Sequence, residues 1–165
     1  MAERWSYIPL FPNYEASDRG TIRNSRSGRL LVPSHNQQGI LKVNLTGDWG
    51  RCTRSVHLLV AQALLPPPTR FDFDSAIHLD GNRDNCYISN LVWRPRHFAV
   101  RFYSQMESSN YRNARAVVID TDTGHQYKTI RDVVHTHGLL VSDVMSSMVR
   151  DTRVWPTNQR FRWKS

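Results

Sequence analysis

The sequence predicts an α+β fold assembled from small modules, and three patterns carry that expectation. The first 55 residues read as short strands and tight turns. The centre reads as strand, loop, strand and helix, and residues 116–165 read as a strand pair followed by two short helices. A chain of 165 residues has room for one ordinary domain or for two or three modules with thin cores, since domains run to roughly 100–200 residues. A large enzyme with a deep cleft is not expected.

The elements follow in order. Residues 13–24 alternate toward a turn at 18–20, and residues 21–32 form a hairpin with Ser27 and Gly28 at its tip, where glycine supplies the positive φ that such loops need. Residues 39–45 alternate apolar and polar with period two, the mark of a half-buried strand, and residues 47–50 turn the chain. Residues 57–65 form a short apolar helix that Pro66, Pro67 and Pro68 terminate. In the centre, His78 follows a small apolar strand, and an Asp-Gly-Asn turn comes next. Asn85 and Asn90 then precede an apolar strand ending in Trp93. Pro95 fits the first turn of a helix running through His97, Arg101 and Tyr103.

In the last third, a strand at 116–119, a turn at 121–124 and a return strand at 125–127 are expected. Thr129 with Asp132 makes a capping box opening a helix through Val134, Gly138 breaks it, and Ser142 is the expected N-cap of a second helix over 143–150. Helix, glycine turn, helix is the order of a DNA-binding helix-turn-helix, an order that purely structural helix pairs share. The exposed face of the second helix is expected to show Ser146, Ser147 and Arg150 to base edges or phosphates. Residues 107–115 are polar without periodicity and read as a linker.

Charge adds the functional direction. The net charge is +8, and 19 of the 22 cationic residues are Arg, whose planar fork matches phosphate and guanine edges. Residues 1–70 carry +5, residues 71–100 carry −1 and residues 101–165 carry +4, the layout of a clamp on a polyanion around an oxygen-rich centre. Arg23, Arg26, Arg29, Arg51 and Arg54 in the first arm, and Arg101, Arg112, Arg115 and Arg153 in the second, are the expected phosphate contacts. No apolar stretch approaches the roughly 20 residues that span a bilayer. With only Cys52 and Cys86, neither a disulfide framework nor a four-cysteine zinc site can form. A reducing cytoplasmic compartment and a chain without membrane attachment are expected.

Metal patterns narrow further. Asp80, Asn82 and Asp84 occupy the first, third and fifth positions of a calcium loop, but Asn85 stands where glycine is required and Leu91 where the bidentate Glu belongs, which rejects an EF-hand. His78, His97 and Cys86 lack zinc-finger spacing. A hard divalent ion held by oxygens, with His78 free to act as a base, is the reading that survives.

Over nearly its whole length the chain resembles the HNH homing endonucleases of phages and group I introns. Residues 5–45 are similar to the family's N-terminal nuclease-associated module. VHLLVAQALLP leading to IHLDGNRDNCYISNLVW resembles its VHRLVA…HxDGxxxNN…NLxW core, and residues 116–163 resemble a C-terminal helix-turn-helix module. The resemblance implies an N-terminal module over 1–55, a ββα-metal core over 56–106, a linker over 107–115 and a DNA-binding module over 116–165. It further implies a monomer acting on double-stranded DNA in the host cytoplasm. His78 becomes the general base and Mg²⁺ or Mn²⁺ the cofactor, while Asp80, Asn82, Asn85 and Asn90 tie down the loop. The family's two metal-ligand positions fall on Ile77 and Ala99, neither of which can donate, and Cys86 replaces a usual Asn. Asp80 and His97 are the possible substitute ligands. That departure leaves open a second reading, a relative that binds DNA without cutting it.

Overall fold

A computed structural model describes residues 2–108 and 117–164; Arg112, Arg115 and most of the expected linker lie outside the described residues. The chain forms two compact units, Met1–His78 with Asn82–Arg96, and Leu79–Gly81 with His97–Ser165. The fold class is α+β, with small antiparallel sheets and four α-helices among the described residues.

In the first unit, β1 (Trp5–Ile8), β2 (Phe11–Ser17) and β3 (Ile22–Asn24) make one sheet, and β4 (Ser34–His35), β5 (Leu41–Gly47) and β6 (Gly50–Ser55) make another. The β3 hairpin closes as expected, with an Arg23–Leu30 bridge and Gly28 at φ +69°. α1 (Val56–Leu64) lays Val56, Leu59, Val60 and Ala61 against Ile8, Phe11, Ala16, Ile22, Val43 and Leu45 in one apolar core. The boundary expected at residue 55 therefore runs through a single packed core. Burial of Leu59 alone, 1% exposed, stabilises the unit by about 1.5–3 kcal/mol. β7 (Ser75–His78) and β8 (Leu91–Arg94) form an antiparallel pair in the register Ile77 to Val92 and His78 to Leu91. Trp93 Nε1 donates to Pro66 O at 3.1 Å, which fastens the pair to the end of α1.

α2 (Arg96–Gln105) begins directly after Pro95, with the Asp74 carboxylate accepting the Arg96 N–H. In the second unit, β9 (Val118–Asp120) lies between β10 (Gln126–Tyr127) and β11 (Phe161–Trp163). α3 (Ile130–His137) opens on the expected capping box, Thr129 Oγ1 accepting from Asp132 N and Asp132 Oδ2 from Thr129 N. It runs three residues past Val134, to where Gly138 adopts φ +60° and ends it. α4 (Val141–Arg150) corrects the expected N-cap: the cap is Leu140, not Ser142. The physical reason lies 36 residues away. The Gln105 side chain accepts the Val141 N–H at 2.9 Å and donates to Leu139 O at 3.1 Å, so the orphan donor at the helix start is satisfied without a local hydroxyl.

Thr129→Ala removes one of the two reciprocal capping bonds. Urea denaturation followed at α3 is expected to show a loss of about 1 kcal/mol, and Thr129→Ser is expected to restore most of it.

Candidate active site

The strand that carries His78 is buried on both faces: Ala76, Ile77 and His78 are 3%, 0% and 1% exposed. His78 closes β7, and two groups frame its ring. Its Nε2 lies 3.7 Å from Cys86 Sγ, and its centroid lies 4.9 Å from that of His57, the second residue of α1.

The loop from 82 to 90 is fixed by its own polar side chains. Asn82 Oδ1 accepts the Asp84 N–H, and Asn90 Nδ2 donates to Asn85 O at 2.8 Å. His35 meets Asp84 at 2.7 Å, and Arg83 Nη1 donates to Gln38 O, so the loop is also tied to the β4–β5 turn. Gly20, at φ +86°, lies so close to Cys86 that a Cβ would stand 2.8 Å from Cys86 Cβ. Ile88 N–H donates to Asp18 O beside it. Asp80 belongs with Leu79–Gly81 to the second unit, where Leu79 O accepts from His135 Nδ1 at 2.6 Å.

Burial keeps two groups beside His78 uncharged at neutral pH. Burial, then the neighbouring His78 and Arg83, push the His57 imidazole down to about 3. Burial, reinforced by the Asp84 carboxylate, pushes the Cys86 thiol up to about 11. Burial also draws Arg94 down to about 10, its Nη1 donating to Trp93 O at 2.8 Å. A thiol beside an imidazole here is an apolar filler rather than a nucleophile, because thiolate formation is disfavoured.

The residues at the metal-ligand positions do not fit a hard divalent ion. Ile77 is fully buried and offers only methyl groups, and Ala99 offers one methyl. His97 stacks on Trp155, with ring centroids 6.3 Å apart and planes 16° apart. Among the described residues no group of three or more His, Cys, Asp or Glu side chains is arranged to hold a metal ion.

The cationic residues expected to face a polyanion divide into two groups. Arg26, Arg29, Arg51 and Arg54 are exposed, and Arg29 and Arg51 share a surface cavity of about 470 Å³ with Tyr14, Asn24, Ser27 and Asn44. Others are already engaged. Arg23 bonds Glu15 at 2.7 Å and lies 4.0 Å over the Trp5 ring, Arg101 meets Asp143 at 3.3 Å, and Arg153 bonds both Asp122 and Asn158 O. On α4, Ser146 and Arg150 are exposed, but Ser147 is not. It is 4% exposed and its hydroxyl donates to Val144 O at 2.7 Å, which corrects its expected place on the open face. Satisfaction by the backbone is what lets a serine join the apolar side of the helix.

Nothing local in the sequence links His57 to His78. The only local signal was its position at the start of a helix, and 21 residues separate the two rings.

Comparison with known proteins follows the same lines. The NUMOD4 motif matches residues 3–46. An uncharacterized HNH endonuclease of Acanthamoeba polyphaga mimivirus is 41% identical over 93 residues, 56% of this chain and 27% of that protein. A second from the same virus is 32% identical over 83 residues, 50% of this chain and 21% of that protein. The chain thus spans about a quarter of the length of these relatives. The HNH homing endonuclease I-HmuI, solved for its DNA binding and cleavage, shares the fold with a TM-score of 0.53 over 98% of both chains, at 24% identity. The motif and the two relatives make the chain similar to HNH endonucleases over part of its length, and the structural match shows that it shares the fold of one.

The lowered His57 value makes a prediction whose sign is fixed. The unfolded chain binds the His57 proton near 6.5 and the folded chain only near 3, so between those values the unfolded state holds more protons. The contribution is complete above about pH 6.5 and is lost as pH falls, by up to about 1.4 kcal/mol per pH unit. Urea midpoints measured from about pH 7 to 4 are expected to fall less steeply for His57→Gln than for the wild type.

Proposed function

We propose that this chain is an HNH-type endonuclease acting on double-stranded DNA, with hydrolysis of a phosphodiester centred on His78. The observation that carries the reading is the β7–β8 hairpin, which ends in His78 and returns through Asn90, Leu91 and Trp93, braced from behind by α1. Similarity to HNH endonucleases supports the reaction class, and exposed Arg26, Arg29, Arg51, Arg54 and Arg150 support a polyanionic substrate. In this reading the His78 imidazole accepts the proton of the attacking water, the general-base role that histidine most often fills. Asn82, Asn85 and Asn90 act by holding the loop. Because Ile77 and Ala99 offer no donor, no step is routed through a metal.

Those same two residues favour a second reading, in which the chain binds DNA without cutting it and serves as a binding or regulatory protein. Supercoiled plasmid incubated with and without Mg²⁺ or Mn²⁺ separates the two. The first reading expects nicking that His78→Ala lowers by about 10²-fold or more. The second expects salt-sensitive binding with no nicking under either ion, and the gain of nicking in a chain carrying both Ile77→Asp and Ala99→Asn. Ile77 is buried, so circular dichroism and DNA affinity of the double variant are measured alongside. Failure to bind duplex DNA at low salt would sink both readings.

A further inference from the structure

The open face of α4 has a composition that the packing of the second unit does not explain. Val141, Val144 and Ser147 turn inward. At about 100° per residue, Ser142, Met145, Ser146, Val149 and Arg150 fall on one opposite stripe, within about 140° of arc. Val149 is 79% exposed and Met145 is 41% exposed. Two serines flank this apolar pair, and Arg150, which forms no ion pair among the described residues, closes the stripe at the last turn. Asp143, the acid within the helix, is already matched by Arg101 at 3.3 Å, and Asp151 at its C-cap by Arg160 at 3.5 Å.

We infer that Met145 and Val149 are specificity residues that contact the C5-methyl groups of thymine in the major groove, with Ser142 and Ser146 bonding base edges or phosphates and Arg150 holding a phosphate. The inference rests on the DNA-binding reading above and adds which base feature this helix recognises. Three considerations commit the face to this occupant. A helix about 10–12 Å across matches a major groove about 12 Å wide. The only apolar group displayed by the bases there is the thymine methyl, and hydroxyls with a guanidinium beside an apolar pair match a methyl set among polar edges and phosphates. Two side chains are also far too little for a protein interface, which needs roughly 800 Å² per partner.

The test replaces single atoms of the DNA. A duplex is first selected by the wild-type chain from a randomised pool, and each thymine is then exchanged for deoxyuridine, which lacks only the methyl. Wild type is expected to lose about fourfold in affinity for each contacted methyl at one or more positions. Val149→Ser or Met145→Ser is expected to flatten the response to deoxyuridine at one of those positions. Val149 is mostly exposed, so its variant keeps the fold; thermal melts check Met145→Ser. A profile flat at every thymine, or full discrimination retained in both variants, overturns the inference and leaves DNA binding intact. A flat profile with a dimer that Val149→Ser dissociates assigns the face to a second copy instead. No enrichment of any duplex fails the DNA-binding reading itself, and this inference with it.

Discussion

The close approach of Gly20 to Cys86 is the constraint on which the first unit depends. Ser17, fully buried, turns its hydroxyl to accept the N–H groups of Arg19 and Thr21, and Gly20 completes the turn in a conformation that excludes a side chain. The space saved is where the central loop rests its Cys86, and Ile88 then bonds Asp18 O. A strand-and-turn module and a loop 66 residues further on are thereby locked in one register. From that lock follow the short turn of Ile88–Asn90, the start of β8, and the pairing that leaves His78 opposite Leu91. Cys86 suits the position because it is small, and burial keeps its thiol protonated. An amide in its place would need more hydrogen-bond partners than the His78 imidazole and the Arg83 carbonyl that its thiol now meets.

Two electrostatic regimes coexist in the first unit. Beside His78, burial holds two groups neutral and a third is hydrocarbon: His57 resists protonation, Cys86 resists ionisation and Ile77 adds no charge. On the surface, Arg26, Arg29, Arg51 and Arg54 remain solvated and charged. Burying charge costs far more than displaying it, so a basic protein can keep a neutral interior only by confining its cations to the outside. Arg94 is the exception, buried with its guanidinium turned onto its neighbour's carbonyl and its proton correspondingly less firmly held.

The elements legible in the sequence are those decided within a few residues. The Thr129–Asp132 box, the Gly28 tip, the alternation that became β5 and the proline stop after α1 each depend on local geometry, and each stands in the structure where its residues indicated. What escaped was decided at a distance. Gln105 supplies the start of α4, so Ser142 was a plausible cap with no vacancy to fill. Ser147 could be inside because Val144 O takes its proton, a bond that no hydropathy pattern encodes. The His57–His78 pair arises from packing α1 beneath β7, and neither residue alone announces the other. At the candidate site the sequence located His78, Ile77 and Ala99 in the family pattern, while the burial that keeps His57 and Cys86 uncharged emerged only in three dimensions.

Gln105 grips the chain on both sides of one residue, at Leu139 and at Val141, from the end of α2. The connection between α3 and α4 is therefore a rigid joint whose length and direction belong to another helix. A lineage carrying this joint can exchange every outward residue of α4 without disturbing how that helix is mounted, but it cannot add or remove a residue in the turn without losing both bonds. Variation in what α4 touches and stability of how it is held become separate evolutionary traits, divided by a single amide side chain.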